Sequence, residues 1–287
     1  MDLNGVLRPE RITEIVDVGA NPIDGDPPYK SMLRAGLCRV TGFEPQLGAF
    51  RRLREMSGPN ENYLPIALGS GADQTLHICH AEGMTSFHKL DQTSLSSFNG
   101  FGDFGIVVAE AHLMGHRLDD IAQIAAMDFL KIDTQGAELT ILSNARNKLS
   151  ETVAVQIEVS FVPLYEQQPT IGALDEMLRG IGFIPHCFVD VKRWPISPAI
   201  INGNSRTPLN QLLEADLVYV RDFRKFQHMT AEQWKHLALI AHHCYGSFDL
   251  ALRAVTLLSK AGIVSADGPE LYMQHLRGAS GIDIRST

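Results

Sequence analysis

The sequence predicts a doubly wound α/β fold with a helical C-terminal appendage, and three observations carry the prediction. Short apolar runs alternate with helical stretches over most of the 287 residues, an order that joins parallel strands by crossovers. Three of those runs end on an acidic residue, Asp17, Glu44 and Asp133. Parallel strands place such ends along one edge of a sheet, at the crevice where ligands bind. From Thr230 onward strand patterns stop and helical ones take over, so the main domain is set at 1–228 and the appendage at 229–287.

The first strand is Ile15–Val18, a short apolar run interrupted by Asp17 and closed by Gly19-Ala20-Asn21. A Pro-rich segment follows, with Pro28 opening a helix that Gly36 closes. Leu37–Glu44 is the second strand, Phe50–Met56 a helix, and Asn62–Leu68 the third strand. Gln74–Ala81 and Gly105–Leu113 alternate as an antiparallel pair, with the Gly-, Ser- and Phe-rich stretch 94–105 as a surface loop. Leu118–Ile124 is a short helix, Phe129–Asp133 a strand, Ala137–Leu149 a helix and Val153–Phe161 a strongly β-prone strand. Ile171–Ile181 is helical, Ile184–Val191 and Asp216–Val220 are the last strands, and the Pro- and Asn-rich loop 195–208 between them suits a surface lid. In the appendage, Ala231–His243, Phe248–Ala261 and Pro269–Leu276 are helices, the first opened by a Thr230/Gln233 capping box.

Composition narrows the function classes. Lys and Arg number 25 against 33 Asp and Glu, for a net charge of −8. Nucleic acid needs a basic face and is not the expected partner. The four cysteines are far apart with no C-x-x-C pair, which suits a reducing compartment. The N-terminus lacks a basic n-region followed by an apolar h-region, and no run approaches the ~20 apolar residues of a membrane span. A soluble, cytoplasmic protein is expected.

Gly19 and Ala20 let the backbone approach a ligand closely, and Asp17 ends its strand where it could accept hydrogen bonds from one. Glu44 follows Asp17 by 27 residues, about one β-α-β unit, where a carboxylate can accept from the vicinal hydroxyls of a ribose. Two kinds of adenosine cofactor meet that description. A dinucleotide wants G-x-G-x-x-G, so that bare amides cradle a pyrophosphate. Here the loop has one glycine where that fingerprint wants three, prolines 22, 27 and 28 remove amide donors, and Asp24 and Asp26 would repel phosphate. The loop better suits a phosphate-free cofactor with a positive centre, and S-adenosylmethionine is one.

Val16-Asp17-Val18-Gly19-Ala20-Asn21, Gly42-Phe43-Glu44-Pro45, Ala67-Leu68-Gly69, Leu118-Asp119-Asp120-Ile121 and Phe129 through Glu138 occur in the order seen in FkbM-type methyltransferases. Ile157-Glu158-Val159 adds to the resemblance, which covers roughly residues 12–190. It implies a class I, Rossmann-like fold, a mostly parallel sheet with an antiparallel last strand, and S-adenosylmethionine-dependent O-methylation of a sugar, glycan or related natural product. The chain departs from the family pattern at Ile23, where a glycine is usual, and at Gln135, where Glu is frequent.

The cofactor is then expected against Asp17, Gly19, Ala20, Asn21, Glu44, Pro45, Ala67 and Asp133. Asp133 and Glu158 are the leading catalytic pair, with His88 as a further candidate base. Lys131 is expected on the surface or in helix packing, and Glu138 at the dipole of its own helix. His77, Cys79 and His80 alternate across a strand and do not converge on one ion, so no metal ligands are assigned. Asp133 and Glu158 alone would suit Mg²⁺, which is not expected to be needed. The appendage would cover the domain or form a homodimer or protein contact. An NAD-type oxidoreductase and a non-catalytic interaction module are the alternative functions.

Overall fold

The computed structural model describes residues 2–21, 25–282 and 284. Pro22, Ile23 and Asp24, on which part of the cofactor-loop reading rests, lie outside the described residues.

Seven strands form the main sheet: β1 (Thr13–Val18), β2 (Cys38–Phe43), β3 (Glu61–Leu64), β4 (Phe129–Ile132), β5 (Ala154–Ser160), β6 (Phe183–Arg193) and β7 (Leu212–Arg221). Their order is β6-β7-β5-β4-β1-β2-β3. The five strands from β3 to β5 are mutually parallel, whereas β7 runs antiparallel to both its neighbours. The cause is local: β7 returns from β6 as a hairpin and inserts between β6 and β5. The chain winds outward from β1 through β2 to β3, then back across to β4 and β5. The crevice therefore opens at the carboxyl ends of β1 and β4, where the winding reverses.

Strand alternation feeds two helical layers. Val16, Val18, Leu130, Ile132, Val155 and Ile157 face helices Glu138–Ser143, Arg146–Glu151 and Ile171–Gly180. Ile15, Val40, Phe129, Ala154 and Val218 face the other way, into a cluster shared with helices Ala231–Tyr245, Phe248–Lys260 and Gly268–Ser280 and with a short N-terminal helix, Leu3–Leu7. The C-terminal helices thus cover one face of the sheet. Trp234, fully buried, stacks on Phe226 and donates its indole N–H to the Phe226 carbonyl. Both bonds of the Thr230/Gln233 capping box are made, and Gly246 at φ 62° ends that helix.

Several local expectations need correction. The stretch 62–68 is not one strand: it breaks at Pro65, which has no N–H for the ladder, and Ala67–Leu68 pairs instead with Gly115–His116. The stretch 94–105 is not a bare loop, since Gln92–Ser96 and Phe101–Phe104 are helical and Asp91 caps the first through two backbone N–H groups. The expected helix 137–149 is two helices, because the Asp119 carboxylate accepts from the backbone N–H groups of Asn147 and Lys148 and starts a new helix there. Loop 195–208 lies against 97–99 through Ser197 N–H to the Ser97 carbonyl and through Asn99, whose side-chain amide donates to the carbonyls of Ala199 and Ser205. Among the described residues no helix is long and apolar enough to cross a membrane.

Candidate active site

A cleft opens where β1, β2 and β4 end. Gly19, Asn21, Glu44, Pro45, Gln46, Asp133 and Gln135 line its polar side, Ile66, Leu68, Leu76 and Phe87 its apolar side, and Lys192 and Glu214 its far end. Gly19 adopts φ +78°, and a Cβ there would lie 1.8 Å from the Asp133 carbonyl oxygen. Only glycine allows the β1 and β4 loops to meet this closely. The N–H groups of Gly19 and Ala20 both donate to the Phe43 carbonyl, tying this turn to the strand that carries Glu44.

Of the residues expected at the cofactor, Gly19, Asn21, Glu44, Pro45 and Asp133 line the cleft, while Asp17, Ala20 and Ala67 lie behind it. Asp17 is 2% exposed and its carboxylate is already engaged: Oδ2 accepts from the Tyr29 hydroxyl, and Oδ1 lies 3.5 Å from Lys131 Nζ. Burial raises the Asp17 pKa, against the pull of Lys131 and Tyr29. Lys131 is therefore not a surface lysine. The parallel register sets it beside Asp17, and although burial works against its charge, Asp17, Asp133 and Asp216 together push its pKa up. Ala20 packs with Leu53 and Tyr63.

Glu44 is nearly buried, and Oε1 accepts the Gln46 N–H at 2.8 Å. Burial pushes its pKa up to about 7, with the Glu82 charge adding to the effect. Donors from a ligand would relieve that under-solvated carboxylate. Glu82 crosses the cleft edge, accepting from Asn21 Nδ2 at 2.9 Å and from Arg52 at 2.7 Å.

At the other end, Asp133 and Glu158 are joined by a residue with no role in the sequence reading. Gln135 Nε2 donates to Asp133 Oδ1 at 3.0 Å and to Glu158 Oε2 at 2.7 Å. Its Oε1 accepts from the Tyr165 hydroxyl at 3.0 Å. Glu158 sits buried behind this amide, and burial, Glu214 and Asp133 all raise its pKa. Asp216, opposite Glu158 in the β5–β7 register, is raised to about 6 by burial and by Asp133. Glu138 does more than face its helix dipole: its carboxylate accepts from Thr134 N–H and Oγ1 and from Gly136 N–H, pinning the loop that carries Gln135. His88 does not line the cleft. Its ring lies beside Gly136, and burial lowers its pKa. Among the described residues no group of three or more His, Cys, Asp or Glu side chains is arranged to hold a metal ion.

The arrangement is that of a cleft rich in carboxyl groups at the reversal point of a doubly wound sheet. A sequence model described as the methyltransferase FkbM domain matches residues 17–185, more than half of the chain. The chain belongs to the FkbM methyltransferase family, whose class is S-adenosylmethionine-dependent methyl transfer. A comparison with curated proteins returned no match. Among solved structures, the chain is similar to a TehB-like SAM-dependent methyltransferase from Corynebacterium glutamicum, at 9% identity over 75% of this chain and 83% of that one, with a TM-score of 0.35. It is also similar to magnesium protoporphyrin IX methyltransferase from Synechocystis with bound SAM, at 9% identity over 74% and 71% of the two chains, with a TM-score of 0.36.

Proposed function

We propose that the cleft holds S-adenosylmethionine and that the protein methylates a hydroxyl of a sugar, glycan or related small natural product. The observation that carries the cofactor reading is Glu44, a buried carboxylate facing the cleft beside the close approach of Gly19. The lining fits such a cofactor. Glu44 is an acceptor for the ribose hydroxyls, Asp133 and Glu214 are carboxyl partners for a sulfonium and an ammonium, and Leu68, Leu76 and Phe87 offer an apolar wall for a purine. Gly19, Asn21, Glu44, Pro45 and Asp133 would hold it, with Asp17, Ala20 and Ala67 supporting them from behind.

When bound, S-adenosylmethionine supplies an electrophilic methyl group on a positively charged sulfur. The residues of this chain would align the acceptor and handle its proton. Alignment in a closed site is worth ~7–11 kcal/mol of barrier. A sugar hydroxyl is a poor nucleophile near neutral pH, so a base helps. Asp133 lines the cleft, and its Oδ2 accepts no hydrogen bond from the described residues, which leaves it open to an acceptor hydroxyl. Glu158 is held back from the cleft by Gln135 and would act through it rather than on the acceptor. The C-terminal helices leave room for a second role, as a homodimer or partner contact.

The test is methyl transfer from labelled S-adenosylmethionine to fractionated glycans, with Asp133→Asn and Glu158→Gln alongside. Loss of turnover in Asp133→Asn supports the reading, and undiminished turnover in both variants removes the catalytic assignment. Binding of NAD in place of S-adenosylmethionine would revive the oxidoreductase, and binding of neither would leave an interaction module.

A further inference from the structure

Gln135 adopts φ +55°, a left-handed backbone that non-glycine residues rarely take, and Gly136 follows at φ +110°. Such a conformation persists only where the surroundings over-determine it, and it clusters at functional sites. Here the surroundings do so. The Gln135 carbonyl accepts from Ser86 Oγ at 2.6 Å, its Oε1 accepts from Tyr165, and Nε2 donates to both Asp133 and Glu158. Ser86 and Tyr165 are both buried, so the clamp is not an exchangeable surface contact.

The direction of the amide follows from its neighbours. In this arrangement the –NH₂ supplies one hydrogen to each carboxyl oxygen and the carbonyl takes the Tyr165 hydroxyl, so both ends of the amide are used. The pair it joins sits in a crowded field. Glu214 and Asp216 face it from β7, Lys192 lies 3.9 Å from Glu158 Oε1, and Lys131, Glu138 and Tyr165 surround it. A glutamate in place of Gln135 would put a third acceptor among these carboxyls. A glutamine instead supplies one donor to each.

We propose that Gln135 is a positioning residue for methyl transfer, its clamped amide tying Asp133 and Glu158 into one unit that leaves Asp133 Oδ2 open to the cleft. The proposal rests on the methyltransferase reading above and adds a residue through which the buried carboxyl acts on the exposed one. An N–H donated to a carboxylate favours its ionised form, so removing the amide raises the proton affinity of Glu158.

The test needs no acceptor. The carbonyl stretch of protonated carboxyl groups is followed against pH by infrared spectroscopy in the unliganded full-length protein, and the Glu158 band is assigned by its loss in Glu158→Gln. Gln135→Met removes both donors at similar volume, and Tyr165→Phe removes only the hydroxyl that holds the amide. The expected result is a midpoint about one pH unit higher in Gln135→Met, tenfold in proton affinity, with a smaller shift in the same sense in Tyr165→Phe. Unchanged midpoints in both variants overturn the proposal. A shift in Gln135→Met alone keeps the bridge and overturns the clamp. Should Gln135→Met not fold, Gln135→Leu takes its place as the variant without donors. Calorimetry with S-adenosylhomocysteine on the wild type runs alongside, and its failure would count against the cofactor reading while the infrared midpoint still judges the bridge.

Discussion

Gly19→Ala perturbs the point on which the cleft is hinged, and its effect can be worked out from the structure. The new Cβ would lie 1.8 Å from the Asp133 carbonyl oxygen and 2.9 Å from the carbonyl carbon. Both are backbone atoms, so no side-chain rotation relieves the contact. The left-handed conformation costs ~1–2 kcal/mol for a residue with a Cβ, and overpacking adds ~1–3 kcal/mol. Together they remove ~2–5 kcal/mol, a large share of a net stability of ~5–15 kcal/mol. At ~2–4 °C per kcal/mol for a domain of this size, Tm falls by roughly 5–20 °C. Gly36 supplies the control, because it has φ +67° and nothing within 4 Å of its would-be Cβ. Gly36→Ala carries the backbone cost without the contact and should lose only ~2–8 °C. The assay is thermal unfolding of both variants and the wild type in one buffer, followed by calorimetry with S-adenosylhomocysteine. A Gly19→Ala protein that melts with Gly36→Ala and binds like the wild type would refute the claim that the β1 and β4 loops meet there.

Four further outcomes follow from the structure. Lys131→Met strands the Asp17 carboxylate in the core and should destabilise by ~3–5 kcal/mol, most of it recovered in Lys131→Met/Asp17→Asn, as read by urea unfolding. Glu44 has a folded pKa raised from 4.5 to about 7, so its contribution to stability is full below the unfolded value and is lost as pH rises through about 7. Unfolding midpoints measured at about pH 5 and about pH 8 should therefore fall less in Glu44→Gln than in the wild type. S-adenosylhomocysteine affinity should run the other way, rising through about 7 as the carboxylate forms, and Glu44→Gln should flatten that rise. Thr230→Ala removes the cap of the helix that carries Trp234 and should cost ~1 kcal/mol, or ~2–4 °C in Tm.

The parts legible in the sequence were those set by local chemistry. Glu44 and Asp133 do follow directly on two parallel strands, whereas Asp17 is the next-to-last residue of β1, still inside the ladder and buried. The Thr230/Gln233 box was likewise written into four consecutive residues. What stayed hidden needed register or distant partners. The fate of Asp17 depends on Lys131, 114 residues away but beside it across β1 and β4. Gln135 gains its meaning from Tyr165, and the helix break near residue 145 from Asp119, neither of which a local window contains. Pro65 is a different case, since a proline inside a strand pattern was a visible warning that the ladder would break there.

The central claim is that Glu44 and its neighbours form the seat of an adenosine-bearing methyl donor. Titration calorimetry of S-adenosylmethionine into the wild type and Glu44→Ala addresses it most directly. Hydrogen bonds to a charged acceptor are worth ~1.5–3 kcal/mol, so one-to-one binding by the wild type and a weakening of ~10–100-fold in the variant are expected. Silence in the wild type, or equal affinity in the two proteins, would contradict it.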